Sequence, residues 1–179
     1  MSTVHADINS LEDVMRWNEV SLDEAKARYD QICKTASEEV QRAEKELQAT
    51  EEAAKAVENE IEHLKEEIDA LSKEISDLDA EAISAHLDGH ESAQSSASAL
   101  AASLRKQREV VEENLKTFTE THKELLDNAD QCRYARDEAQ QRLSYAETTL
   151  KSEYNSFEQR VVEQNTRLKQ EHDLILNKC

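Results

Sequence analysis

Two histidines near the middle of the chain have the spacing of a metal site on a helix. His86 and His90 are four residues apart, with Asp88 and Glu91 beside them. On an unbroken helix this spacing places both rings on one face, and imidazole together with carboxylate binds divalent cations. Gly89 lies between the two histidines, and glycine interrupts helical geometry. We therefore expect exposed histidines in a turn, with no bound metal or other cofactor.

The other reactive residue types show no catalytic arrangement. Cys33, Cys132 and Cys179 have neither the spacing of metal ligands nor that of a disulfide framework. The sequence also contains no glycine-rich phosphate loop and no nucleophile paired with a base. We therefore expect no enzymatic activity and no small-molecule substrate. Free cysteines and an N-terminus without signal-peptide features indicate a cytoplasmic or nuclear protein that is not secreted.

Composition and charge exclude several classes of protein. The 179 residues include one glycine and no proline, so the chain has very few sites at which it can turn. Charged residues make up 35% and aromatic residues 4%, as is typical of long helices and coiled coils. The net charge of −18 disfavours direct binding to nucleic acid or to anionic lipid. No apolar run is long enough to span a bilayer, so we expect no membrane span.

The first half of the chain has a regular heptad pattern. From Tyr29 to Ala85, seam residues follow one another at alternating steps of four and three, the pattern of a left-handed coiled coil. Two successive steps of four precede Cys33, and such a stutter locally unwinds a supercoil. The predicted seam, meaning the row of positions that faces the other helix, comprises Ile8, Leu11, Met15, Asn18, Leu22, Ala25, Tyr29, Cys33, Ala36, Val40, Ala43, Leu47, Thr50, Ala54, Val57, Ile61, Leu64, Ile68, Leu71, Ile75, Leu78, Ala82 and Ala85.

The second half has a seam of its own, with more polar interruptions. It contains a stutter at Ala146, Leu150 and Tyr154, and a further irregularity around Val111 that has no counterpart in the first half. The predicted seam comprises Ala97, Leu100, Leu104, Gln107, Val111, Leu115, Phe118, His122, Leu125, Ala129, Cys132, Arg136, Ala139, Leu143, Ala146, Leu150, Tyr154, Phe157, Val161, Gln164, Leu168, His172 and Ile175.

The single glycine lies between the two seams and predicts that the chain folds back on itself. We expect an all-α protein, a long antiparallel two-helix coiled-coil hairpin that belongs to a larger helical bundle. Its predicted parts are an N-terminal tail at 1–9, helix 1 at 10–87, a polar turn at 88–96 and helix 2 at 97–178. Ser10, followed by Asp13, suits the start of the first helix because both side chains accept hydrogen bonds from free backbone N–H groups.

Two patterns favour this hairpin over one continuous rod. In the antiparallel register the stutters of the two seams face each other, and Asn18 faces Gln164, so that amide meets amide. The charge distribution agrees, because residues 1–89 carry 9 basic and 24 acidic side chains, whereas residues 90–179 carry 13 and 16. A parallel pair of identical chains would place the strongly acidic half against its own copy, and like charges beside a seam oppose association.

Apolar residues outside the seam indicate a partner-binding surface near the chain ends. A helix with an apolar arc wider than one seam normally packs in a larger bundle, and tryptophan is a frequent interface anchor. The alternative is that these residues only pack within the end of the hairpin itself and bind no partner. The candidate residues are Val14, Trp17 and Val20 in helix 1 and Val162, Leu174 and Leu176 in helix 2.

A small basic cluster just past the predicted turn is a weaker candidate. Arg105, Lys106 and Arg108 form a basic tip that suits an acidic surface or a phosphate group. The alternative is that these cations only pair with acidic residues of the neighbouring helix, namely Glu74, Asp77, Asp79 and Glu81.

These features predict an interaction protein. We expect a non-enzymatic, elongated coiled-coil structural or adaptor subunit in a hetero-oligomeric complex of cytoskeletal, axonemal, kinetochore or tethering type. Other coiled-coil proteins are the expected partners. One alternative is a membrane-remodelling or fusion-complex module, which the negative charge disfavours. A second alternative is a chaperone-like clamp, which needs apolar residues at its tip, whereas the stretch DGHESAQSS is polar.

Overall fold

The computed structural model describes the backbone of residues 2–177 and the side chains of residues 10–177. Helix α1 spans Ser2–Leu87, α2 spans Glu91–Tyr145, a π-helical turn spans Ala146–Leu150 and α3 spans Lys151–Leu176. No strand occurs within residues 2–177. The predicted all-α hairpin of two long antiparallel arms is confirmed, the second arm consisting of α2, the π-turn and α3.

The hairpin turn is shorter than predicted and consists of Asp88, Gly89 and His90. Gly89 has a φ of 74°, which glycine adopts without the steric cost that a Cβ imposes. Its N–H donates to the carbonyl of His86, and the N–H of His90 donates to the carbonyl of Ala85. These two bonds form a Schellman motif, which satisfies carbonyls that the end of α1 leaves unpaired.

The serine-rich stretch after the turn is helical, although the sequence predicted a turn over 88–96. The carbonyl of His90 accepts a hydrogen bond from the N–H of Gln94 at 3.0 Å, so α2 starts at Glu91, whose carboxylate lies at the favourable positive end of the helix dipole. At the other end of the chain, α1 begins at Ser2 rather than at Ser10, because neither proline nor glycine interrupts the segment predicted as a tail.

The chain divides into two compact units, which we describe separately. Unit 1 contains residues Met1–Glu44 and Tyr134–Cys179, and unit 2 contains Lys45–Arg133. In unit 2, the buried residues Leu64, Leu71 and Val111 form an apolar cluster. The residues packed around this cluster are Ile68, Leu104, Leu115 and Phe118.

Ion pairs across the two helices of unit 2 establish their antiparallel register. Arg133 Nη2 lies 2.7 Å from Glu51 Oε1, and Arg105 pairs with Asp79. Thr50 and Cys132, one residue before Glu51 and Arg133, are also in contact, with Oγ1 and Sγ 3.9 Å apart. As one residue number increases the other decreases, as the predicted hairpin requires.

The seam of α2 differs from the predicted one at two positions near the turn. Ala101 is fully buried, whereas Leu100, which the sequence placed in the seam, is 49% exposed. One heptad further on, Arg108 takes the seam position predicted for Gln107, which is exposed. With these two residues the steps of four and three continue without interruption through Val111. The irregularity that contradicted the hairpin is therefore absent.

Unit 1 contains a buried amide pair in its seam. Asn18 is 4% exposed, and its Nδ2 donates to Oδ1 of Asn165 at 2.8 Å. Asn165 Nδ2 in turn donates to the carbonyl of Met15 at 3.4 Å. The amide pair was predicted, but its partner is wrong, because Asn165 faces inward and Gln164 is exposed. A step of four from Val161, in place of the predicted step of three, brings Asn165 rather than Gln164 into the seam.

A stacked pair of tyrosines joins the stutters of the two helices of unit 1. The ring centroids of Tyr29 and Tyr154 are 5.7 Å apart with an interplanar angle of 14°, a geometry that aromatic rings favour. Hydrogen bonding with the Cys33 side chain, with desolvation and nearby negative charge adding to it, raises the pKa of Tyr29 to about 12. The predicted juxtaposition of the two stutters is therefore present.

The stutter of the second arm contains the π-turn. The N–H of Lys151 donates to the carbonyl of Ala146, five residues earlier, so this turn holds more residues than the 3.6 of an α-helix. A wider turn accommodates two successive steps of four, because Ala146, Leu150 and Tyr154 then stay on one side of the helix. Helix α1 passes through its own stutter without such a turn.

Candidate partner-binding surfaces

All six apolar residues predicted to bind a partner are exposed, namely Val14, Trp17 and Val20 on α1 and Val162, Leu174 and Leu176 on α3. The contrast within α1 is sharp, because Trp17 is 68% exposed while the adjacent Asn18 is almost fully buried. The large indole therefore leaves most of its surface in water without contributing to the seam. An exposed side chain of this size is a typical anchor for a second protein.

Unit 1 has two sides, each marked by one contact between charged or titratable side chains of the two helices. On the Arg142 side, Arg142 Nη1 lies 3.3 Å from Glu39 Oε2. On the His172 side, His172 Nε2 lies 3.4 Å from Glu12 Oε1. Glu39 and Arg142 each directly precede a seam residue, whereas Glu12 directly follows one. Any residue outside the seam can be assigned to a side by this rule, because the helical repeat is regular.

The structure separates the predicted partner-binding residues into two sets. A residue that directly precedes a seam position lies on the Arg142 side, one that directly follows a seam position lies on the His172 side, and one that is two residues away from both neighbouring seam positions lies on the back of the helix. By this rule Val14, Trp17 and Leu174 lie on the Arg142 side, Val162 and Leu176 lie on the His172 side, and Val20 lies on the back of α1. The six residues therefore do not form one continuous surface, although the sequence treated them as one cluster.

An apolar groove runs along the Arg142 side of unit 1. One section has a volume of about 610 Å³ and lies between α1 and the region of the π-turn. A second section of about 350 Å³ adjoins it and shares Ile32 and Leu150 with it. The buried side chains of Ala36 and Ala146 line the first section, and small residues leave a depression there. We call the two sections together the Ile32 groove.

The walls of the Ile32 groove carry exposed apolar side chains that the sequence analysis did not select. Ile32 is 47% exposed and Tyr145 is 54% exposed, and both line the groove. The signal was present in the sequence, because Ile32 directly precedes the seam residue Cys33 and so lies beside the seam. Together with Val14 and Trp17 it places apolar residues repeatedly along one side of α1.

The charged residues that line the Ile32 groove are mainly acidic. Four glutamates and two arginines contribute to its lining. Arg142 is held by two of these carboxylates, since it lies 3.3 Å from Glu39 and 3.4 Å from Glu138. Glu24 and Glu153 flank the second section. The groove therefore presents an apolar floor with excess negative charge at its edges.

The His172 side offers a smaller and more polar surface. His172 is mostly buried, and its ring nitrogens lie near two carboxylates, with Nε2 3.4 Å from Glu12 Oε1 and Nδ1 3.5 Å from Asp173 Oδ1. A depression beside it is lined by Arg16, Glu19 and Lys169 among others. His172 Nε2 is nevertheless buried without a hydrogen-bond partner among the residues whose side chains are described.

The basic tip is partly neutralised by the protein itself. Arg105 pairs with Asp79 of α1, which is one of the four acidic residues that the sequence offered as structural partners. Arg108 Nε lies 3.2 Å from Glu112 Oε1 on its own helix, and its side chain takes part in the seam. Lys106 is exposed. Two of the three cations are thus engaged in structural ion pairs.

The closed end of the hairpin is more apolar than the sequence analysis expected. Ile83, Leu87 and Leu100 lie near the turn and are 64%, 79% and 49% exposed. The expectation of a purely polar tip considered only the turn stretch itself. It overlooked Ile83 and Leu87, which are four residues apart at the end of α1 and therefore share a face.

The histidines near the turn do not form a metal site together with other ligating side chains in the described part of the chain. His86 Nδ1 lies 3.1 Å from Gln94 Oε1, and no group of three or more metal-ligating side chains comes together among the described residues. Within the same part of the chain, none of the helices is both long and apolar enough to cross a bilayer. No protein-family model, curated protein or solved structure matches this chain.

Proposed function

We propose that this protein is a non-enzymatic coiled-coil adaptor subunit that binds a partner helix through unit 1. The observation that carries the proposal is the exposure of Trp17 beside a closed seam. Burying an aromatic side chain of this size stabilises an interface by several kcal/mol in favourable cases. The partner class is a coiled-coil protein, and the setting is a hetero-oligomeric complex of cytoskeletal, axonemal, kinetochore or tethering type.

The charge distribution supports a different protein as partner over direct binding to nucleic acid or anionic lipid. The net charge of −18 repels both phosphate-rich surfaces and further copies of this chain. Side chains on a coiled-coil surface also choose partners by charge, because residues that flank a seam attract or repel across the interface. A subunit with this surface suits a complex whose other members are more basic.

The test is Trp17→Ala in the full chain, purified with its complex from the cells that produce it. We expect recovery of associated subunits to fall at least tenfold. Loss of an interface tryptophan commonly weakens the binding free energy by about 2–4 kcal/mol. The free energy of unfolding of the isolated protein, measured by thermal denaturation, should change by less than about 0.5 kcal/mol, as for other surface substitutions.

Tyr134→Ala is the matched control, because Tyr134 is an aromatic residue of unit 1 with 74% exposure and lies outside the Ile32 groove. It should leave recovery unchanged. If Trp17→Ala destabilised the isolated protein as strongly as a substitution in the seam, Trp17 would be a structural residue and the docking proposal would fail.

A further inference from the structure

We infer that the Ile32 groove is the seat of a single amphipathic helix of the partner, one with an apolar stripe flanked by lysine or arginine. The helix lies along the Arg142 side and completes a three-helix bundle with the two helices of unit 1. This inference rests on the proposed adaptor function and deepens it, because it specifies the surface and the chemistry of the partner.

The length and the floor of the groove fit a helix. Its lining on α1 runs from Ser21 to Glu39, which is about 27 Å at 1.5 Å per residue. A helix that fills this length has about five turns and places side chains into the groove at every third or fourth residue. Ala36 and Ala146 provide room at the floor, while Ile32 and Tyr145 provide apolar walls.

Trp17 extends the same surface toward the chain ends. Ser21 and Arg28, which line the second section of the groove, follow Trp17 along α1 at helical spacing. Val14 and Trp17 therefore continue the row that Ile32 occupies further along the helix. A helix seated in the groove meets the indole when it extends beyond Ser21, so the anchor and the groove belong to one interface.

The negative charge at the edges of the Ile32 groove favours a partner helix with basic residues. Glutamates outnumber arginines two to one in the lining, and Arg142 is already held by Glu39 and Glu138. In the second section, Glu24 and Glu153 outnumber the single Arg28, so the excess negative charge attracts cationic side chains that flank the apolar stripe of an incoming helix. A second copy of this chain brings a net charge of −18 to the same surface, so a basic partner is favoured over self-association.

The decisive experiment places a photo-cross-linking residue in the full chain within the cells that produce it. Ile32→p-benzoylphenylalanine and Tyr145→p-benzoylphenylalanine probe the groove, and Trp17→p-benzoylphenylalanine probes the anchor. Val110→p-benzoylphenylalanine is the control, because Val110 is an exposed apolar residue of unit 2. The cross-linked residues of the other molecule are then identified by mass spectrometry.

We expect the two groove positions to cross-link at least tenfold more than the Val110 position, both to one segment of another protein. That segment should have apolar residues at helical spacing with lysine or arginine beside them. Cross-links to a second copy of this chain, or to a segment with acidic flanks, would overturn the inference. So would cross-linking no stronger than at Val110. Cross-links at Trp17 without any at the groove would leave the adaptor function standing and remove the groove; none at any of the three positions would remove both.

A pair of charge reversals tests the electrostatic part separately. Glu24→Lys with Glu153→Lys reverses charge beside the groove, and we expect a tenfold or greater loss of the cross-linked product. Glu19→Lys with Glu158→Lys makes the same change in net charge on the His172 side and should leave the yield within twofold. Equal losses from both pairs would show that only net charge matters, which contradicts a seat at the groove.

Discussion

The centre of unit 2 is a cluster of aliphatic and aromatic side chains, whereas the seam of unit 1 contains an amide pair and a ring stack. Leu64, Leu71 and Val111 gain stability simply by leaving water, and such packing has little directional preference. The contacts of Asn18 with Asn165 and of Tyr29 with Tyr154 require defined geometry. A register shifted by one heptad still buries apolar residues, but it breaks both of these pairs. Unit 2 therefore combines a larger apolar cluster with exposed ion pairs, whereas unit 1 places register-specific contacts inside the seam itself.

The largest predicted effect comes from breaking the apolar seam of unit 2. Leu64→Asp places a carboxylate in the cluster that includes Phe118, and we expect a loss of about 3–5 kcal/mol in the free energy of unfolding, since buried unpaired charge is strongly destabilising. Urea denaturation followed by circular dichroism measures the loss. Glu66→Asp on the exposed face of the same helix should change little, and a similar loss in both variants would contradict the role of the cluster.

An intermediate effect is expected from the buried amide pair of unit 1. Asn18→Ala leaves the Asn165 side chain without its partner and should cost about 1–3 kcal/mol, the usual penalty for an unsatisfied buried polar group. Asn128→Ala, at an exposed position of unit 2, is the control and should be nearly neutral. Urea denaturation of both variants provides the comparison.

Replacing both members of the amide pair sharpens the contrast between the units. The double variant Asn18→Leu with Asn165→Leu should be at least as stable as the native protein, because two apolar groups replace two satisfied polar ones. It should also show a weaker preference for one register, because the tyrosine stack alone then disfavours a shifted seam in unit 1. A double variant as unstable as Asn18→Ala would show that the asparagines stabilise the fold rather than select its register.

The smallest effect is an alkaline titration of the tyrosine stack. Hydrogen bonding with Cys33 raises the pKa of Tyr29 to about 12 from 10.0, so the unfolded chain loses this proton at lower pH than the folded chain. The stabilising contribution is therefore complete below pH 10 and declines as pH rises toward 12. Ultraviolet absorbance should show one tyrosine that ionises late, and Cys33→Ala should bring it back toward the others. Four tyrosines that ionise together would contradict this assignment.

The heptad pattern predicted the two arms and the meeting of their stutters, because these follow from spacing, and the single glycine together with the charge distribution predicted the fold-back. Individual seam residues near the turn were harder to predict. Leu100 is more hydrophobic than Ala101, and Gln107 is uncharged whereas Arg108 carries a charge. The position of each residue around the helix nevertheless buries the alanine and part of the arginine. Position on the helix outweighs hydrophobicity when the two disagree, because a long side chain can reach solvent from a seam position.

The anchor of the candidate site was predictable, but the groove was not. Trp17 lies outside the seam by simple counting, and a large side chain there is exposed in a two-helix structure. The groove depends on small side chains in both helices at facing positions, Ala36 and Ala146, and on the local shape of the π-turn. The stutter in the second arm predicted where the helix departs from a regular heptad, but spacing alone does not distinguish a π-turn from a gently unwound α-helix.

The compact turn at Gly89 also restricts how the gene can change in length. Because only Asp88, Gly89 and His90 separate the two arms, a residue inserted into one arm shifts every facing pair between the insertion and the chain end. An insertion of a whole heptad in one arm preserves the apolar pattern of that arm, but it still mismatches Asn18 with Asn165 and Tyr29 with Tyr154 unless the other arm gains the same length. Between the single glycine and these pairs, the two arms can therefore change in length only in matched steps if the pairs are to be kept.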